Sequence, residues 1–146
     1  MASINPYLTF PGQCEEAFNF YKSVFGGEFL YFGRFKDMPP MEGCEPVSEE
    51  DGNKVMHVSL PFGNGTYLMG SDSFEAWGQA TVMGNNFSIS INTDSKDEAD
   101  KLFNALSAGG TVTMAMEKTF WGAYFGMFTD KFSIQWMVNF DENPMK

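Results

Sequence analysis

His57 is the single histidine of the chain. On the inner face of a sheet an imidazole can serve as general base or anchor a ligand oxygen. The competing role is a hydrogen-bonded core histidine. Glu117 lies shortly before Trp121 and Tyr124. A carboxylate there can pair with a cationic ligand, or act as a base if buried, against the simpler fate of an exposed surface acid. The two aromatic rings can stack a flat ligand or close a cleft, or can serve core or dimer packing. Cys14 and Cys44 form no CxxC and no cysteine-histidine cluster, so sulfur offers no zinc site, and both read as a buried small side chain or a loop thiol. Glu45, Glu49, Glu50 and Asp51 read as a solvated charge run, and Asp72 and Asp130 as turn residues that follow or join strands. No Ser-His-Asp order, phosphate-cradling loop or zinc-helix motif stands out.

These residues need elements to position them. Asn5 to Phe10 alternates and stops at Pro11-Gly12, after which Ala17, Phe18, Tyr21, Val24 and Phe25 recur at helical spacing. Gly26-Gly27 ends that helix with the residue type a left-handed cap prefers, and Glu28 to Phe35 follows as an aromatic strand. Residues 37–53 hold proline, glycine and acids without apolar periodicity and are expected to form a long loop. Lys54 to Pro61 and Thr66 to Gly70 read as strands about a Gly63-Asn64-Gly65 hairpin turn, and Ser71 to Gly84 as a crossover loop.

The second half repeats the first. Phe87 to Asn92 alternates, and Ser95 with Glu98 forms a capping box for a helix whose stripe is Ala99, Leu102, Phe103 and Leu106, closed by Gly109-Gly110. Thr111 to Ala115, Tyr124 to Thr129 and Ile134 to Phe140 follow as strands. Setting Ala17 on Ala99 also sets Tyr21 on Phe103 and Val24 on Leu106, the mark of an internal duplication. The expected fold is α+β: one domain over 1–146, built of repeats 1–83 and 84–146, each ordered strand, helix, strand, strand, strand. If Val58, Leu60, Trp136 and Val138 lie under the helices, the pleat turns Tyr7, His57, Ser59, Gln135, Met137 and Asn139 the other way, toward a concave cleft.

The composition bounds the partners. A formal net charge of -10 repels phosphate backbones and anionic membrane surfaces, so nucleic acid and membranes are not expected as partners. No segment has the length and apolarity of a bilayer span, and a cytoplasmic location is the expectation. Cores use Phe and Met, but 16 Phe, 11 Met, 5 Tyr and 3 Trp in so short a chain also suit a pocket that moulds to an apolar or flat ligand.

Several stretches carry a family resemblance: Asn5-Pro6-Tyr7-Leu8-Thr9-Phe10-Pro11-Gly12, Ala17 through Gly27, and above all Thr119-Phe120-Trp121-Gly122 followed by Gly126-Met127-Phe128-Thr129-Asp130-Lys131-Phe132. Together they resemble the PhnB-like, or demethylubiquinone methyltransferase-like, branch of the glyoxalase/bleomycin resistance/dioxygenase (vicinal oxygen chelate) superfamily. The resemblance implies paired βαβββ modules about a concave cleft, commonly assembled as a homodimer. It also implies a place for a divalent metal on the first and last strands of each module. The matching stretches centre on Asn5 or Pro6, Leu68 or Met69, Asn86, and Met137, and thioether or aliphatic groups do not replace carboxylate or imidazole around a hard ion. No metal and no cofactor are therefore expected. Met69 and Met137 instead give the cleft a soft apolar lining. The methyltransferase label gains no support, because no Gly-rich turn follows a strand with an acid downstream.

Three functions follow as expectations. The first is a protein that binds or sequesters a small, partly apolar molecule, with Tyr7, Trp121, Tyr124, Met69 and Met137 as walls and His57 as the polar contact. The second is a glyoxalase-like lyase, isomerase or dioxygenase that uses a displaced metal, or His57 and Glu117 for proton transfer. The third is a domain whose cleft is filled by its own side chains and whose role is dimerisation.

Overall fold

The computed structural model describes residues 2–37, 48–63, 65–73 and 81–141. They fall in two compact units, Met1–Val82 and Met83–Lys146. In the first unit β1 (Tyr7–Phe10), α1 (Cys14–Phe25), β2 (Tyr31–Arg34), α2 (Glu49–Gly52), β3 (Val55–Phe62) and β4 (Thr66–Asp72) build a sheet of order β1-β4-β3-β2. The second unit has β5 (Ile89–Asn92), α3 (Lys96–Ser107), β6 (Thr111–Lys118), β7 (Ala123–Thr129) and β8 (Gln135–Asp141), in the order β5-β8-β7-β6. In each sheet the first strand runs parallel to the last and the other neighbours are antiparallel. The duplicated α+β architecture is as the sequence predicts.

Helix α1 forms because Cys14, Ala17, Phe18 and Tyr21 fall on one face, and all four are buried. Its N-terminus lacks a local cap, since Gln13 makes no side-chain bond there. Helix α3 is capped from within its own sequence. The Glu98 N–H donates to the Ser95 hydroxyl at 3.0 Å, and the Glu98 carboxylate accepts from the Asp94 N–H at 2.9 Å. Ala99, Phe103 and Leu106 are buried on its inner face.

Val58, Leu60, Trp136 and Val138 are buried, as the pleat predicts. A glycine seats one helix ring in each core. In the first sheet Val58 pairs with Gly70, and a side chain at Gly70 would meet Phe18 Cε1 at 2.6 Å. In the second, Gly126 pairs with Val138 and lies under Phe103, whose ring meets Phe128 edge-on at 5.2 Å. The valine-glycine pair thus recurs with its members exchanged between the two strands.

Some local expectations need correction. Residues 49–52 are not loop: Ser48 accepts from the Asp51 N–H at 3.1 Å and starts the short helix α2, with Glu49, Glu50 and Asp51 in its first turn, where negative charge suits the helix end. Glu45 and Cys44, most of the expected loop over 37–53, part of the expected crossover over 71–84 and Asn64 of the hairpin lie outside the described residues. Strand β6 runs on to Lys118, past Ala115, because two irregularities in its pairing with β7 keep it in the ladder. Asp72 and Asp130 are not simple turn residues, being 5% and 3% exposed. Asp72 accepts from the backbone N–H groups of Gly12, Cys14 and Val55, at 3.1, 2.8 and 2.9 Å. Asp130 accepts from the N–H groups of Phe132 and Ile134 and from Trp136 Nε1, at 2.8, 3.0 and 2.8 Å.

Candidate functional site

The pleat of the first sheet sets one row of side chains across all its strands on the face away from α1. The strand register aligns Tyr7 on β1 with Met69 on β4, Met69 with Ser59 on β3, and Ser59 with Tyr31 on β2. One step along β3 on the same face stands His57, paired with Gly33 of β2. The Tyr7 phenol oxygen lies 3.2 Å from His57 Nδ1, and the two rings stack at 5.6 Å with 26° between their planes. On the other side the Tyr31 ring lies 5.7 Å from the imidazole. It reaches there because Gly33 has no side chain: a Cβ at that position would meet the Tyr31 hydroxyl at 2.6 Å. Tyr7 and Tyr31 are each 48% exposed, so the cluster offers ring surface outward.

Of the residues predicted from the sequence, the structure brings together Tyr7, His57 and Met69. Tyr31, which sequence reasoning missed, completes the group. Its signal was the Tyr31-x-Gly33 spacing, which puts a ring and a gap on one face of a strand.

Met137 belongs to the second unit, in a row formed by Ser90, Met137, Met127 and Met114. The next row on that face holds Asn92, Asn139, Phe125 and Glu117. The Asn139 amide donates to Asn92 Oδ1 at 3.2 Å. Glu117 is exposed on the outer strand β6. Trp121 lies in the β6–β7 turn, 51% exposed, between Phe120 at 5.0 Å and Phe125 at 6.2 Å.

Tyr124 stands apart from these. It lies on the helix side of the second sheet, where its hydroxyl donates to Asp100 Oδ1 on α3 at 2.6 Å and Lys96 Nζ lies 4.8 Å from its ring centre. The hydrogen bond to Asp100, with burial and the carboxylate charge adding to it, raises the Tyr124 pKa above its ordinary value. The favoured form is the neutral phenol. Its stabilising contribution is therefore present below the ordinary tyrosine pKa of about 10 and is lost as pH rises through the higher folded value. An alkaline absorbance titration of Tyr124→Phe against the parent is expected to remove a late-ionising phenol. If the missing phenol ionises with the ordinary tyrosines, the Asp100 bond does not hold in solution.

The Cys14 thiol is buried, and burial, with the charges of Asp72 and Glu15, pushes its pKa up, away from a reactive thiolate. At the stretches that the family resemblance matches to metal-binding strands, the side chains include amide and thioether groups. Asn5 Oδ1 accepts from the Tyr67 N–H at 2.9 Å, and Met69 and Met137 offer thioethers. Among the described residues no three His, Cys, Asp or Glu side chains converge to hold a metal. Nor, among them, is any helix long and apolar enough to cross a membrane.

Comparison with known proteins agrees with this architecture. Protein YjdN of Escherichia coli K12 is 32% identical over 141 residues, 93% of each chain. The crystal structure of protein PA1353 from Pseudomonas aeruginosa is 45% identical, with a TM-score of 0.81 over 97% of this chain and 98% of that one. A Bacillus cereus structure described as a putative 3-demethylubiquinone-9 3-methyltransferase, PhnB protein, shares the fold at 24% identity, with a TM-score of 0.73 over 95% of this chain and 99% of that one. The family model for the Glyoxalase/Bleomycin resistance protein/Dioxygenase superfamily matches residues 3–138, and the two βαβββ units share one topology: the chain belongs to that superfamily.

Proposed function

We propose that the chain binds or sequesters a small, partly apolar molecule without using the metal site of its metal-dependent relatives. The observation that carries this is the outward ring surface of Tyr7 and Tyr31 on either side of His57. Aromatic faces supply contact area at low conformational cost, and Met69 beside them adapts to irregular shapes. His57 gives the face one polar contact, and convergence of a few polar groups on an apolar lining is the pattern of small-molecule sites. The amide of Asn5 and the thioethers of Met69 and Met137, at stretches that resemble the family's metal-binding strands, support a metal-independent role. The methyltransferase name belongs to the Bacillus cereus protein and is not carried to this chain. Val112, Met114, Phe120 and Trp121, all exposed on β6 and the turn after it, support assembly as a homodimer.

Native mass spectrometry of the purified protein, before and after dialysis against a strong chelator and with elemental analysis alongside, tests the proposal. An organic adduct without a divalent ion is the expected result, diminished in Tyr31→Ala. A stoichiometric divalent ion that the chelator strips would overturn the metal-independent role. A bare protein whose His57 resonances respond to no small aromatic compound would remove the ligand.

A further inference from the structure

We infer that the ligand of the Tyr7, His57 and Tyr31 face is a planar, uncharged aromatic molecule with a hydrogen-bond acceptor on its edge. This rests on the small-molecule-binding function proposed above and adds the chemistry of the molecule bound. Shape comes first. The two tyrosine rings flank one imidazole, Tyr31 covering the gap at Gly33, and both are 48% exposed, while Ser59 between Met69 and Tyr31 is buried. Half-exposed rings set side by side favour a flat molecule that continues the offset stack.

Charge narrows the class. Tyr7, Tyr31, Met69 and Ser59 are uncharged side chains, and among the described residues this face presents no lysine or arginine for an anion. The chain's net charge of -10 adds a long-range penalty against negative ligands. A cation would gain from that field but would meet the polar group at the centre of the cluster with the wrong sign, for the following reason.

The phenol of Tyr7 is bonded to His57 Nδ1. A phenol is a better donor than acceptor, so Tyr7 gives its proton to this bond and Nδ1 receives it. A neutral imidazole then carries its own proton on Nε2. Among the described residues the hydrogen bond to Tyr7 is the one that His57 makes, so Nε2–H is the donor left to a ligand. A donor held between two rings selects an aromatic molecule with a carbonyl or ring nitrogen at its rim, because an unmet donor covered by a ligand costs its desolvation.

His57 is the single histidine, so its ring nitrogens give one unambiguous set of magnetic resonance signals. The test uses quinoline and naphthalene, a pair of equal shape that differs by one ring nitrogen, with N-methylquinolinium and naphthalene sulfonate as the charged arms. In the free protein the nitrogen shifts are expected to report the Nε2–H tautomer. Quinoline is expected to bind about tenfold more tightly than naphthalene, the size of one net hydrogen bond. Both charged compounds should bind more weakly than quinoline. Tyr7→Phe keeps the ring but frees the tautomer, and should lower the quinoline-to-naphthalene ratio toward one. Equal binding of quinoline and naphthalene, an Nδ1–H tautomer, or tighter binding of either ion would overturn the inference while leaving a small-molecule site in place. If neither compound moves the His57 signals and native mass spectra show no organic adduct, the proposed function fails and takes the inference with it.

Discussion

Asp72→Ala is expected to destabilise the first unit by about 3–5 kcal/mol, because it leaves three backbone donors in or near the core without their acceptor. The donors come from three places in the chain: Gly12 in the turn after β1, Cys14 at the start of α1 and Val55 at the start of β3. One carboxylate therefore does the work of a helix cap and of a clasp between segments. Gln13 offers no side-chain substitute, so nothing local takes over at the head of α1. Asp72→Asn should cost less, since its carbonyl oxygen can still accept on one side, while its amide nitrogen faces an N–H on the other. Urea unfolding gives the free energies, and amide hydrogen exchange gives the location. The amides of Gly12, Cys14 and Val55 should lose protection first. A change in stability within about 0.5 kcal/mol for the alanine variant, the range of an ordinary surface substitution, would show that water replaces the carboxylate and that the clasp is dispensable.

That aspartate also marks the limit of what the sequence reveals. The two long helices were legible because their evidence is local: Ala17, Phe18, Tyr21, Val24 and Phe25 repeat at helical spacing, and Ser95 announces its own cap three residues before Glu98. Asp72 bonds groups 17 to 60 positions away, and nothing near it in the chain hints at burial. Tyr31 was passed over for the same reason, since His57 comes within its reach only through the β2–β3 pairing.

Tyr124 shows a different limit. In Ala123–Thr129 apolar residues occupy both parities of the strand, so a two-residue period does not say which face is which. The register with β8 decides. Gly126 pairs with buried Val138, which puts Tyr124 on the helix side and Phe125 and Met127 on the other. For the candidate site, the sequence named the imidazole, one of its two tyrosines and the neighbouring methionine. The second tyrosine needed the fold.

Gly110→Ala is expected to cost at least about 3 kcal/mol, at or above the usual range for overpacking, while Gly109→Ala next to it should cost about 1 kcal/mol. The sequence presents the two glycines as one helix ending, but they serve different purposes. Gly109 has φ +78°, where an L side chain is strained, yet a methyl there would touch the flexible Lys131 side chain no closer than 3.4 Å. At Gly110 a methyl would overlap the Thr129 carbonyl oxygen and lie 2.9 Å from two Asp130 backbone atoms. None of those atoms can give way. Thr129 is held in the ladder opposite Thr111 and Gln135, and the Asp130 N–H donates to the Ile134 carbonyl at 2.8 Å. The Asp130 carboxylate is tied in turn to Phe132, Ile134 and Trp136. An added methyl must either break the β6–β7 pairing or pull Asp130 from its donors, and both routes open the second unit's core beside Trp136. Thermal and urea unfolding of the two alanine variants decide between the causes. If Gly109→Ala proves the more damaging, left-handed backbone strain rules this helix exit, and the close approach of β6 to the β7–β8 turn is looser in solution than the structure has it.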